Sequence, residues 1–96
     1  MKSIILNKII KDMDKLVEQS IDYYNQDEYS KLCIVDRLIY RLEDDLKNLK
    51  FKGISSAVLD NLWETTWEDI VYHPSKLCRI YNHALLYANR IDKLLE

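Results

Sequence analysis

Apolar residues recur every three or four positions along most of the chain, and this spacing predicts α-helices over roughly residues 3–25, 28–50, 56–72 and 76–95. In the first, Leu6, Ile9, Ile10, Met13, Leu16, Val17, Ser20, Ile21 and Tyr24 form one stripe, while Lys8, Lys11, Asp12, Lys15, Glu18 and Asp22 fill the other face. The polar segment from Asn25 to Glu28 predicts a turn, with Asp27 or Ser30 as the next N-cap. The second helix turns Val35, Leu38, Ile39, Leu42, Leu46 and Leu49 inward and points Cys33 and Tyr40 away. Gly53 suits the left-handed position that ends a helix, and Ser55 or Ser56 can cap the third. That third helix carries Leu59, Leu62, Trp63, Thr66 and Ile70 inward, with Trp67 and Val71 at the margin. His73-Pro74 closes it, because proline drives its predecessor out of helical geometry, and Ser75 caps the fourth. There the stripe runs Leu77, Ile80, Ala84, Tyr87, Ala88, Ile91, Leu94, flanked by Leu85 and Leu86, which makes this the most enclosed helix.

Short connections between four such helices imply an all-α, single-domain, up-down-up-down four-helix bundle. A length of 96 residues suits one domain with one modest core. A single Gly and a single Pro argue against a turn-rich β fold.

Charge changes the picture mainly by exclusion. A formal net charge of −2 offers no polyanion footprint, so DNA and RNA are disfavoured as ligands. Cys33 and Cys78 form no disulfide framework and read as free thiols in a reducing compartment. The first apolar run stops at Asn7 and Lys8, unlike a secretory signal, and the longest uncharged run, Ile80 to Asn89, is too short to span a bilayer. A cytoplasmic protein is expected.

Candidate chemistry is sparse. His73, Cys78 and His83 follow one another at five-residue intervals, which turns them to different sides of a helix, so no metal site is expected. They read as scattered surface or boundary residues. Asp44-Asp45 and Glu68-Asp69 are adjacent carboxylates about 100° apart on a helix, unsuited to sharing a proton or a metal. Arg79 and His83 are similar to the Arg–His motif of the helical HEPN ribonucleases, which would imply RNA cleavage. The family has four to six residues between the two, however, and here only Ile80, Tyr81 and Asn82 intervene. No phosphate loop, nucleophile elbow or EF-hand loop occurs, so neither a catalytic residue nor a cofactor is expected. Tyr24 and Tyr87 lie on apolar stripes, whereas Tyr29, Tyr40 and Tyr72 project from loops or outer faces.

The stretch VLDNLWETTWEDIVYH, Val58 to His73, stands apart. It holds both tryptophans and the acids Asp60, Glu64, Glu68 and Asp69, and no Lys or Arg lies between Lys52 and Lys76. Asp60, Glu64 and Glu68 stack at i, i+4 and i+8, where like charges repel by ~0.2–0.5 kcal/mol per pair. The fold gains nothing from such a row. It reads either as an ordinary solvated outer face or as a docking surface for a basic partner, with Trp67 and Tyr72 supplying contact area and Asp60, Glu64, Glu68 and Asp69 meeting Lys and Arg.

In size, charge balance and the segment LDNLWETTWEDIVYH the chain resembles small helical bacterial immunity proteins, whose late helices are similarly acidic and Trp-containing. The resemblance implies a toxin-neutralising protein that occludes the active site of a cognate toxin domain with a basic surface, such as a nuclease. It implies neither enzymatic activity nor a nucleic-acid or membrane partner. A homo-oligomeric helical adaptor, burying Leu85 and Leu86 against a second copy, is the alternative.

Overall fold

The structure, a computed structural model, describes residues 3–96; Met1 and Lys2, the first two residues of the run compared above with a secretory signal, lie outside it. Four helices, α1 (Ile4–Asn25), α2 (Tyr29–Lys47), α3 (Ser56–Glu68) and α4 (Lys76–Leu95), pack as an up-down-up-down bundle, with no strand among the described residues. Three of them start on serine caps: the hydroxyls of Ser3, Ser55 and Ser75 accept from the amides of Leu6, Val58 and Cys78. Each thereby satisfies a donor that the first turn of a helix would leave bare.

α1 and α2 make the most extensive pair, α4 lies against both, and the shorter α3 rests chiefly on α4. α4 runs antiparallel to α1. The Tyr81 hydroxyl donates to Asp14 at 3.2 Å, and Leu77 and Cys78 share a groove with Ser20, Ile21 and Tyr24 about two to three turns further along α1. The core joins Leu6, Ile9 and Met13 of α1, Val35, Ile39 and Leu46 of α2, and Leu59 and Trp63 of α3 to Ile80, Ala84, Tyr87, Ala88 and Ile91 of α4. As its apolar circumference requires, α4 contributes more buried residues than any other helix. The molecule is drawn out, measuring 46 × 26 × 17 Å. Its radius of gyration is 14.1 Å, against about 12.5 Å for a typical domain of this length.

Several boundaries differ from the pattern-based expectation. α2 ends at Lys47, and Leu49 and Phe51 leave the helix to pack back on the core. Gly53 does take a left-handed conformation (φ +88), yet not as a helix end. It is the third residue of a turn closed by Ile54 N–H donating to the Phe51 carbonyl, a position that demands positive φ. Asp27 is no N-cap: it is itself left-handed (φ +56), and Glu28 precedes α2 without a side-chain cap. α3 stops at Glu68, well before Pro74, because the amides of Asp69 and Ile70 tighten onto the carbonyls of Thr66 and Trp67. Proline therefore constrains the α3–α4 connection and does not end the helix.

Burial also departs from the stripes at their edges. Ile21, Tyr24, Leu38 and Leu94 are exposed, since the neighbouring helices do not reach that far around or along α1, α2 and α4. Tyr24 meets Tyr29 edge-on at 6.3 Å instead of entering the core. Tyr40 behaves oppositely. Its ring packs against the core beneath the Lys76 ammonium, 5.3 Å from the ring centre. Leu85 and Leu86 are half-buried. Among the described residues no helix is long and apolar enough to cross a membrane.

Candidate functional site

α3 is fastened to α4 by an aromatic cluster. The inward spacing of Leu59, Trp63 and Thr66 buries them, and the Trp63 ring meets His83 and Tyr87 edge-on at 4.2 and 4.7 Å. One turn later Trp67 stacks face to face on His83, with centroids 3.9 Å apart and planes within 10°. The imidazole is thus held between two indoles and is wholly buried. Its Nε2 lies 3.0 Å from the Trp63 carbonyl. A carbonyl can only accept, so Nε2 carries the proton and Nδ1 keeps a bare, buried lone pair with no partner. Burial lowers the His83 pKa, the bond to the Trp63 carbonyl opposing it, so the neutral ring is favoured.

The sequence pattern missed this residue. His83 is not a surface or boundary residue but the centre of the α3–α4 contact. The available signal was its spacing, three residues after buried Ile80 and four before buried Tyr87. Its burial also bears on the Arg79–His83 resemblance, for the ring offers a substrate neither nitrogen. Among the described residues no three His, Cys, Asp or Glu side chains gather to hold a metal. Cys33 and Cys78 are free thiols that face one groove of about 740 Å3 at the opposite end of α4 from Arg90.

Outside the cluster lies the acidic face. Asp60, Glu64 and Glu68 are exposed on α3 and take part in no ion pair among the described residues. Their helical positions span about 12 Å. Trp67 falls on the same side and remains 38 % exposed, so its inner face covers His83 while its outer edge meets solvent. These four side chains form one surface.

The other two candidates are engaged elsewhere. The Asp69 carboxylate accepts from Arg90 at 2.5 Å, and the same guanidinium donates to the Thr66 hydroxyl at 3.1 Å, tying the end of α3 to α4. Tyr72 sits in the connection beyond the helix, largely exposed, with the Arg79 guanidinium 5.4 Å from its ring centre. The segment without Lys or Arg therefore gains cations through the fold. Arg90 reaches Asp69, Arg79 reaches Tyr72, and the Lys47 ammonium lies 5.9 Å from the Trp63 ring centre. No cation reaches Asp60, Glu64 or Glu68 within pairing distance among the described residues.

The row also sits badly for the helix that bears it. Glu68 occupies the last turn of α3, which carries no basic residue. The helix dipole disfavours negative charge there by roughly 0.3–1 kcal/mol. Val71, 83 % exposed, extends the surface with an apolar side chain beside Tyr72. Such an arrangement can do little covalent chemistry. It can present negative charge and aromatic area to another molecule.

No protein-family model matches the chain, and no curated protein or solved structure matches it either.

Proposed function

We propose that the chain is an immunity protein, an antitoxin that binds a cognate bacterial toxin domain and neutralises it by covering its active site. The observation that carries this reading is the unpaired row Asp60, Glu64 and Glu68 beside the half-exposed Trp67. Like charges that repel one another at helical spacing and have no intramolecular partner fit a role outside the fold. A nuclease domain, whose cleft must attract a polyanion, presents the complementary basic surface. Electrostatic complementarity would speed association, and Trp67 would supply the desolvated anchor that such interfaces use. Tyr72 and Asp69 then border the contact: Tyr72 adds exposed aromatic area, and Asp69 helps hold the end of α3 in place.

Co-expression with the product of an adjoining toxin-like reading frame tests the proposal. The chain should restore growth, and the purified pair should associate with an affinity that falls as salt rises. The double reversal Glu64→Lys, Glu68→Lys should weaken association at least about tenfold and flatten its salt dependence. If the reversal alters neither, the acidic face is solvated surface and the reading is wrong.

A further inference from the structure

The side of α2 turned away from α4 carries an apolar stripe that the fold covers only in part: Leu42 packs against the edge of the core, while Ile34 and Leu38 stay open. Tyr40 marks the α4 side, and Leu38, two residues earlier, projects about 160° from it around the helix. Along that far side run Lys31, Ile34, Leu38, Leu42 and Asp45. Ile34 is 60 % exposed and Leu38 39 % exposed. Beside them a groove of about 320 Å3 opens between α1 and α2, floored by Leu16 and Leu42 and edged by Asp12, Lys15 and Arg41.

The stripe is symmetric about Leu38. Ile34 and Leu42 lie four residues to either side, and Lys31 and Asp45 seven residues to either side, one cationic and one anionic. A two-fold axis through Leu38, with the two α2 helices antiparallel, sets Leu38 on Leu38 and Ile34 on Leu42. It brings each Lys31 to the second copy's Asp45. Lys31 pairs within its own chain with Glu28 at 3.0 Å and lies 5.4 Å from the Tyr23 ring centre, yet is still half-exposed, and Asp45 has no ion pair among the described residues. A cation at one end and an anion at the other satisfy both ends of an isologous contact at once.

We infer that this face of α2, with the adjoining α1–α2 groove, is a homodimer interface in which a second copy of the chain packs antiparallel about Leu38. The strip from Lys31 to Asp45 is about 21 Å long. A contact confined to one helix face of that length is small for a specific complex, so the dimer is weak and exchanges with monomer. The two acidic faces stay outside the contact, because α3 rests on α4 and not on this side of α2. The inference is therefore independent of the toxin-binding proposal.

Sedimentation velocity over a concentration series tests it, with circular dichroism to verify folding. The parent chain should shift from monomer to dimer as concentration rises. Leu38→Asp, at an already exposed site, should stay folded and monomeric throughout. Lys31→Asp and Asp45→Lys should each weaken the dimer about two- to fivefold, and the two together should restore it, because the swapped charges meet again across the axis. A parent chain that stays monomeric up to millimolar concentration would overturn the inference. So would a dimer indifferent to Leu38→Asp, or a double swap weaker than either single change.

Discussion

The two tryptophans lie four residues apart and divide their tasks. Trp63 is buried against His83 and Tyr87, so Trp63→Ala should cost about 3–5 kcal/mol, read as a drop in the urea midpoint. Trp67 keeps its outer edge in solvent. Trp67→Ala should destabilise clearly less yet weaken association with the proposed toxin partner more than any other single truncation on α3. Equal stability losses from the two variants would contradict that division. His83 and Glu43 give the fold two opposed responses to pH. The His83 pKa is lowered by burial from its ordinary value of 6.5. The unfolded chain therefore binds more protons below that value, and stability present above pH 6.5 drains away as pH falls. Glu43 runs the other way. Burial, reinforced by the neighbouring Asp44 carboxylate and opposed by Lys47, raises its pKa from 4.5 to about 7, and its buried Oε2 has no partner. Its contribution is complete below pH 4.5 and is lost as pH rises through about 7. Denaturant midpoints measured from pH 4 to 8 should show His83→Phe losing the decline on the acid side. Glu43→Gln should gain over the parent as pH rises, with the gain levelling off above about 7. Parallel curves for parent and variants would show that neither group titrates differently on folding.

On the scale of the helix, α3 is where stability and the proposed binding would pull apart. Glu68 faces the negative end of its own helix dipole and stands one turn from Glu64. Glu68→Gln should therefore raise the melting temperature by about 2–4 °C while reducing affinity for a basic partner. A residue kept for solubility alone would not show the second effect. The four helices themselves were legible from the three-four spacing, and Ser55 and Ser75 cap α3 and α4 as their hydroxyls suggest. Helix ends were less legible. What stops α3 is a pair of tight turns at Asp69 and Ile70, secured by Arg90 from a helix far along the chain, whereas the conspicuous Pro74 lies several residues later. Periodicity also overstated burial on α1 and α2. It assigns Ile21, Tyr24 and Leu38 to a buried stripe without knowing how much of each stripe a neighbour covers.

In the whole molecule, a chain nearly balanced in charge keeps one local imbalance. The acidic row was legible as a spacing of four along α3, but which acid is paired was not, because Arg90 arrives from α4. His83 was misread for a related reason. A polar residue on the flank of a helix is buried or exposed according to what docks there, and here a second helix docks through two indoles. That docking gives the protein an optical signature. Both of its tryptophans lie on α3 and both touch one imidazole, so intrinsic fluorescence reports the seating of α3 on α4, while helical ellipticity reports mainly the three longer helices. Should α3 lift away ahead of the rest, the two signals would melt at different temperatures, and the emission would shift to the red first.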